Sequence, residues 1–290
     1  MKIDVKTFFI LLFLGFVWGS SFILMKKGLI VFSPLQVASL RLVFAGSVGV
    51  FFFLREYKKL KQKDWLFLSL SGLLGNFIPA FLFASAGAEM PSSLSGALNA
   101  MTPFFALLAG VAIFSQQFKI SQGVGILVGL IGSLLLIFSK SKTGFSFYSE
   151  YIFPCLKVIL AALLYGINVN IIKSKLHHLS AIVNSMVPLT IISVPALFIA
   201  IQTNTWQIAQ SSEAMGPLLY ILILGVLGSA ISLIVFNMLV KKSTALFAAS
   251  VTYLIPIFAY FWGVIDGEPI GWFQVGGMGL ILLGITLTRR

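Results

Sequence analysis

The stretch that decides the fold is residues 90–137, MPSSLSGALNAMTPFFALLAGVAIFSQQFKISQGVGILVGLIGSLLLI, because the chain contains a second version of it. The second version, residues 243–287, reads STALFAASVTYLIPIFAYFWGVIDGEPIGWFQVGGMGLILLGITL. In each version a run of small residues leads to a proline, a short polar turn follows, and a glycine-rich apolar run ends the stretch. Pro103 and Pro256 are 153 residues apart. A repeat of this length indicates an internal duplication.

The composition indicates the medium in which the chain folds. It is 59% hydrophobic and 10% charged, with a mean hydropathy of +1.03, whereas about a quarter of the residues of a soluble protein are charged. Apolar runs of about 20 residues recur, and each can cross a hydrocarbon layer of about 30 Å. In that layer each segment must pair its own backbone groups, which favours helices over the alternating strands of a barrel. The sequence predicts an all-α membrane protein.

The apolar runs predict ten transmembrane helices, five in each half of the chain. The first repeat covers residues 1–140 and the second covers 152–290, and together they form one integrated transmembrane domain. Because five is odd, a second copy enters the membrane from the opposite side, so the repeats are inverted, as in many secondary transporters. The predicted spans are 8–29, 35–54, 65–86, 92–114, 122–139, 152–172, 181–201, 215–238, 244–265 and 270–288.

The net charge of +12 follows the membrane topology and does not indicate nucleic-acid binding. If the N-terminus is cytoplasmic, fourteen Lys and Arg residues fall in inner segments and five in outer segments. The positive-inside rule then places both termini in the cytoplasm, and the protein in the cell membrane. Cys155 is the single cysteine, so no disulfide framework or cysteine metal cluster is expected. We expect no cofactor and no nucleic-acid partner.

The acidic residues bear on energy coupling. All eight fall in predicted loops or at the ends of predicted spans, whereas proton-driven carriers usually need an ionisable group within the membrane. We therefore expect facilitated transport, with Glu268, near the outer end of the ninth span, as the alternative proton carrier. His177 and His178 are interpreted as part of a solvated cluster in an inner loop.

A sparse set of polar and aromatic residues within the spans forms the candidate substrate site. Arg41 lies about six residues into the second span, roughly 9 Å along a helix. An arginine at this depth is a functional candidate, although its long stem allows it to serve as an interfacial anchor. Buried amides in lipid form interhelical hydrogen bonds as often as they contact ligands. The candidates are Trp18, Ser21, Lys26, Arg41, Asn76, Asn99, Tyr165, Asn168, Asn237 and Tyr253.

Two pairs of features match between the halves. Pro103 and Pro256 fall in the middle of predicted spans, where proline removes a backbone hydrogen bond and kinks a helix, so we interpret them as paired hinges. The segment 18–21, Trp-Gly-Ser-Ser, has a counterpart in 165–168, Tyr-Gly-Ile-Asn. Glycines spaced three or four apart in the fifth and tenth spans predict close helix packing.

These features resemble the drug/metabolite transporter superfamily, and specifically its EamA-type ten-helix carriers. The matching residues are Trp18-Gly19-Ser20-Ser21-Phe22 with Lys26, Leu40-Arg41-Leu42-Val43-Phe44-Ala45, the prolines Pro103 and Pro256, and Gly267-Glu268. The resemblance covers the whole chain. It implies a basket in which helices one to four and six to nine surround a central cavity, with helices five and ten at the periphery. The chain departs from the pattern at Ser115-Gln116, where the family has Gly-Glu.

The resulting hypothesis is a secondary-type carrier of small metabolites, such as amino acids or related amphipathic compounds, that exports them by alternating access. Lys26 and Arg41 would bias the cavity towards carboxylate groups. The partners expected are a small-molecule substrate and the lipid bilayer, with the chain a monomer or weak homodimer. Two alternatives are a non-transporting membrane receptor or scaffold, and an integral-membrane enzyme. The sequence contains no recognisable catalytic motif, which favours a protein that is not an enzyme.

Overall fold

A computed structural model describes residues 5–90, 92–117, 119–138, 152–265 and 272–288. These ranges are helical almost throughout and contain no strand. Glu268 lies outside the described residues, and so does the predicted connection between the two repeats. The helices are α1 (Val5–Gly28), α2 (Pro34–Glu56), α3 (Gln62–Glu89), α4 (Ser92–Asn99), α5 (Thr102–Ala112), α6 (Ile120–Phe138), α7 (Ile152–Lys175), α8 (Ala181–Gln202), α9 (Thr205–Ala209), α10 (Ser212–Lys242), α11 (Ala245–Ala249), α12 (Leu254–Ile265) and α13 (Trp272–Thr288).

Six of the described helices are long and apolar enough to cross a membrane, which confirms the all-helical membrane class. They are α1, α2, α3, α7, α8 and α10. Shorter apolar helices occupy the remaining predicted spans. Two of the predicted spans are interrupted: 92–114 is divided between α4 and α5, and 244–265 contains a 3-10 turn, Ser250–Tyr253.

The first interruption has a local cause in the sequence. Pro103 lies in the first turn of α5, and it has no N–H to donate to a carbonyl four residues earlier. The carbonyl of Asn99 instead accepts a hydrogen bond from the Thr102 hydroxyl at 2.7 Å. Proline is well tolerated at a helix start, so Pro103 begins a helix here and does not kink the middle of one.

Short polar side chains define where several helices begin. The Ser33 hydroxyl accepts from the backbone N–H of Gln36, whose side chain accepts in return from Ser33, which completes a capping box at α2. Ser180 and Thr244 cap α8 and α11 in the same manner, with their hydroxyls accepting from backbone N–H groups three residues later. These caps satisfy N–H groups that have no partner within the helix.

The helices of one half pack mainly on helices of the other half. α2 lies along α8, α6 lies along α13, and α1 packs on α12 and α10. α7 packs on α3 and α5. The core therefore forms between the repeats, and neither half has a complete core of its own.

Glycines bring α6 and α13 into backbone contact. A Cβ at Gly132 would lie 2.7 Å from the Gly277 carbonyl oxygen, and a Cβ at Gly284 would lie 2.7 Å from the Gly125 carbonyl oxygen. The predicted glycine packing is thus confirmed at these positions. Close approach of this kind is how membrane helices gain van der Waals contact without a hydrophobic driving force.

A first contact that recurs between the halves involves two glycines of α3 and α10. Gly75 lies against the side chain of Asn168 in α7, and Gly228 lies against Ser21 in α1. The glycines are 153 residues apart, and the residues they contact are 147 apart. The two halves therefore make matching contacts, each with the other half.

The second recurring contact joins α1 to α12 and α7 to α5. A Cβ at Gly19 would meet Phe258 at 2.6 Å, and a Cβ at Gly166 would meet the backbone of Phe105 at 2.6 Å. Gly19 and Gly166 are counterparts 147 residues apart, and Phe105 and Phe258 are counterparts 153 apart. The duplication seen in the sequence is therefore also a duplication of contacts.

The backbone contacts of α13 predict an uneven response to one added methyl group. Gly284→Ala should lower the free energy of unfolding by about 1–3 kcal/mol, because its Cβ meets backbone atoms of α6 that cannot rotate away. Gly279→Ala is the matched control on the same helix, since nothing lies within 4 Å of its Cβ, and it should be neutral or stabilising by up to about 1 kcal/mol. Thermal unfolding of both variants in detergent measures the difference, and equal stability would contradict the packing.

Candidate functional site

A central cavity with a volume of about 110 Å³ lies where α1, α2, α3, α7 and α10 meet. A buried water needs about 10–15 Å³ of such space, so the cavity can hold a small solute or several waters. The junction of α4 with α5 and the 3-10 turn before α12 also line it, through Asn99, Thr102 and Thr252. The interrupted helices therefore face the cavity.

Two π-helical turns form part of the cavity wall. They span Leu73–Phe77 in α3 and Val226–Ile231 in α10, at matching positions of the two halves. Gly75 and Gly228 lie in these turns and line the cavity. A π turn changes the regular hydrogen-bond ladder and occurs often at functional sites. A π turn still pairs its backbone groups within its own helix, so it is compatible with a membrane span.

Trp18 joins α1 to the second π turn. Its indole N–H donates to the Gly228 carbonyl oxygen at 3.1 Å and to the Ser232 hydroxyl at 3.0 Å. Its ring packs on Phe236, with a centroid separation of 5.3 Å. These contacts fix the indole as an apolar wall of the cavity and satisfy its single donor.

An aromatic cluster forms another part of the cavity wall. The rings of Tyr165 and Phe83 are stacked, with centroids 5.9 Å apart and planes 22° apart, and Phe22 meets Phe83 edge to face at 5.8 Å. These three side chains come from α7, α3 and α1, and all line the cavity. The wall offers a flat apolar surface on which a planar or aliphatic group can pack.

Arg41 supplies the positive charge of the site. Its Nε donates to the Ser229 hydroxyl at 2.9 Å, which joins α2 to the second π turn. Within the described residues no carboxylate lines the cavity and no ion pair involves Arg41. The guanidinium therefore faces the cavity without an opposite charge from the described chain, which makes it a candidate anion contact.

The structure brings most of the predicted substrate-site residues to this cavity. Those that line it are Trp18, Ser21, Arg41, Asn76, Asn99, Tyr165 and Asn168. Their role in binding stays a prediction. The sequence supplied their depth in each span, and the fold turns their helices so that the side chains face one another.

The structure places three predicted residues outside the cavity lining. Lys26 is exposed at the end of α1. Asn237 is 1% exposed and donates to the Ser185 hydroxyl at 2.8 Å. Tyr253 is fully buried, and its hydroxyl donates to the Ile126 carbonyl oxygen at 3.0 Å. The latter two join helices, which is the common alternative for polar groups within a membrane.

Sequence reasoning missed several residues that shape the cavity, in particular Phe83, Gly228 and Ser229. The spacing of Gly75 and Gly228 at the repeat offset was a signal that both occupy matching positions. Nothing in the sequence marks the π turns that bring the backbone of Gly228 and the hydroxyl of Ser229 to the cavity wall.

Charged residues near the helix ends join the elements around the site. Lys157 of α7 lies 2.6 Å from the Glu89 carboxylate of α3 and donates to the Ser85 hydroxyl at 2.8 Å. At the other end of α3, the Asp64 carboxylate is 2.9 Å from Nε2 of His178. The solvated cluster predicted around His178 thus includes a direct contact with α3. Both contacts hold α3 to the second half of the chain.

The model of the EamA-like transporter family matches residues 5–138 and 152–290. One solved structure, 17% identical, aligns with a TM-score of 0.74 over 96% of this chain and 94% of its own, which supports the fold alone.

Two curated relatives have informative names. The probable amino-acid metabolite efflux pump of Salmonella typhimurium is 33% identical over 132 residues, which is 46% of this chain and 43% of that protein. The chain thus aligns with less than half of that relative. The S-adenosylmethionine/S-adenosylhomocysteine transporter of Chlamydia muridarum is 23% identical over 99% of this chain and 92% of its own length.

The buried tyrosine gives a test of which aromatic residues belong to the site. Tyr253→Phe removes the hydrogen bond to Ile126, so it should lower the free energy of unfolding by about 0.5–1.5 kcal/mol. It should leave ligand binding unchanged, because Tyr253 does not line the cavity. Thermal unfolding with and without ligand measures both effects, with Tyr165→Phe as the cavity-lining comparison. A Tyr253→Phe variant of native stability with weakened binding would contradict this placement.

Proposed function

The chain belongs to the EamA-like transporter family, and we propose that it exports amino acids or related amphipathic metabolites by alternating access. The family and the named relatives are transporters and not enzymes. The protein is a multi-pass membrane protein that transports small metabolites. The efflux name of the Salmonella typhimurium relative supports the outward direction, and its name also supports the amino-acid class.

The proposed architecture is ten membrane helices in two inverted five-helix repeats. The matching contacts of Gly75 and Gly228, and of Gly19 and Gly166, support it, because each half presents the same surface to the other. A further support is the contact of Gly46 with Ser193 between α2 and α8. These two residues are 147 residues apart, so each is the counterpart of the other, as expected for a contact on a pseudo-two-fold axis.

The observation that carries the proposed function is the position of the cavity. It is lined by residues from both halves, and both π turns and both helix interruptions face it. Transporters built from inverted repeats bind substrate near mid-membrane, between the repeats, on discontinuous helices. Rocking of one repeat against the other would then expose such a site to each side in turn.

The orientation and the energy source follow from charge. The excess of Lys and Arg in the segments that would be inner supports cytoplasmic termini. Within the described residues no acidic side chain lines the cavity, which supports facilitated transport over tight proton coupling. Glu268 lies outside the described residues and stays the alternative carrier of a proton.

The prolines have a modified role in this proposal. Pro103 and Pro256 each lie within the first three residues of a helix that follows an interruption, α5 and α12. We retain them as hinges, with the bending assigned to the interruptions that precede them. Residues at element ends commonly absorb the backbone changes of domain motion.

The proposed function predicts saturable efflux through the central cavity. The protein is reconstituted into liposomes preloaded with a panel of radiolabelled amino acids. The exit of each amino acid is compared with its exit from preloaded liposomes that contain no protein. Ser21→Trp places a large side chain in the cavity and should abolish efflux. Leu219→Trp, on a half-exposed position of α10, is the matched control and should retain it.

Size-exclusion chromatography of both variants establishes that each is folded before its flux is measured. We expect the native protein to export at least one solute of the panel. Ser21→Trp should block that efflux, and Leu219→Trp should retain it. Equal exit from liposomes with and without the protein, across the whole panel, would reject the proposed function.

A further inference from the structure

Arg41 has an unusual electrostatic position for a residue of a membrane protein. One of its five N–H donors is used by the Ser229 hydroxyl, and no other hydrogen bond of this side chain occurs among the described residues. A cation removed from water without an opposite charge costs several kcal/mol. The side chain nevertheless points into the cavity and does not extend to an acidic partner within the described chain.

The contact with Ser229 determines which atoms of the guanidinium are available. Ser229 binds Nε, so the two terminal NH₂ groups are left for a ligand. A planar pair of oxygens, such as a carboxylate, can accept from a guanidinium through two parallel hydrogen bonds. The structure thus presents an oriented donor group where an anionic end of a solute can dock.

Asn168 is a second polar group without a partner at the same cavity. It is 7% exposed, and its Oδ1 accepts no hydrogen bond within the described chain. Leaving a buried acceptor unpaired costs about 1–3 kcal/mol. Its amide lies directly against Gly75, so the first π turn leaves room for this side chain beside the cavity.

Unpaired oxygens also occur elsewhere in the described residues, at Ser95, Asn184 and Asn237. None of these three lines the cavity, whereas Asn168 does. Asn184 and Asn237 already use their amide nitrogens in contacts with other protein groups, whereas Asn168 makes no such contact with the described residues. A donor group of a solute in the cavity would therefore give the Asn168 oxygen the hydrogen bond that the described chain does not supply.

We propose that Arg41 and Asn168 determine specificity by recognising two ends of one solute, a carboxylate at Arg41 and an amino group at Asn168. This inference rests on the proposed function and assigns the residues that select among its amphipathic substrates. The stacked rings of Phe83 and Tyr165 then contact the apolar body of the solute. The solute supplies the opposite charge that the described cavity lacks.

The same charge affects how the carrier returns after releasing its solute. The empty carrier passes through its closed state without an opposite charge at Arg41 from the described residues, whereas the loaded carrier closes over a neutralised pair. Closing excludes water and makes an uncompensated charge more costly. Exchange of external for internal solute should therefore be faster than net exit.

A set of matched probes tests the two-point recognition by isothermal titration of the purified protein. L-Phenylalanine carries both end groups, phenethylamine lacks the carboxylate, and 3-phenylpropionate lacks the amine. The native protein should bind phenylalanine at least tenfold more tightly than either analogue. Arg41→Gln should remove the preference over phenethylamine and keep the preference over 3-phenylpropionate, and Asn168→Ala should do the opposite.

Two control variants separate recognition from general damage. Lys27→Gln removes an exposed cation of α1, and Asn184→Ala removes a buried amide that does not line the cavity. Both should retain the two preferences. An Arg41→Gln variant that weakens all three probes by the same factor, or a native protein without any preference, would overturn the inference.

A kinetic readout distinguishes charge compensation from a purely structural role. Exit of labelled phenylalanine into medium containing unlabelled phenylalanine should be several-fold faster than exit into buffer, and Arg41→Gln should bring the ratio close to one. An unchanged ratio in a folded variant would reject the role of Arg41. If the liposomes export other metabolites but the protein binds none of the three probes, the recognition proposal fails and the proposed function stands.

Discussion

Hydrocarbon offers no hydrogen-bond partner to a backbone group, and this constraint decides where the chain can depart from a regular helix. Within the described residues the two π turns and the interruptions before α5 and α12 all lie beside the central cavity. Side chains of the protein supply hydrogen bonds to backbone carbonyls at these irregular points. The Thr102 hydroxyl donates to the Asn99 carbonyl oxygen, and the Trp18 indole N–H donates to the Gly228 carbonyl oxygen. The irregular backbone and the cavity therefore depend on each other.

Close helix contact makes this arrangement possible. Glycines at the crossings allow one half of the chain to lie directly on the other, as at Gly19 and Gly166. Because these contacts join the halves, a relative motion of the repeats changes the same set of crossings on both sides of the cavity. Such a packed interface has discrete alternative arrangements and does not deform continuously.

Much of this could be predicted from the sequence, for physical reasons. Hydropathy and the repeat offset locate the helical segments, since length and apolarity are what the bilayer requires. The depth of Arg41 and Asn168 along their spans also predicts residues that reach the cavity. The sequence predicts Tyr253 and Asn237 as site residues, because a buried polar side chain can bind either a ligand or another helix. The rotation of each helix about its own axis decides which of these two roles a side chain takes. That rotation is set by the packing of one half of the chain on the other, which a single sequence does not show. The π turns likewise depend on contacts between the halves.

The central claim is that two matched halves rock about one cavity, and distances measured by pulsed EPR test it most directly. Spin labels are attached to cysteines in a Cys155→Ser background, one pair at Ile30 and Met215 and the other at Lys58 and His177, all of them exposed. Under the proposed topology the first pair lies on the outer side and the second on the inner side. Addition of a transported solute should shorten the distance in one pair and lengthen it in the other. Changes of the same sign in both pairs, or no change while the solute binds, would contradict alternating access.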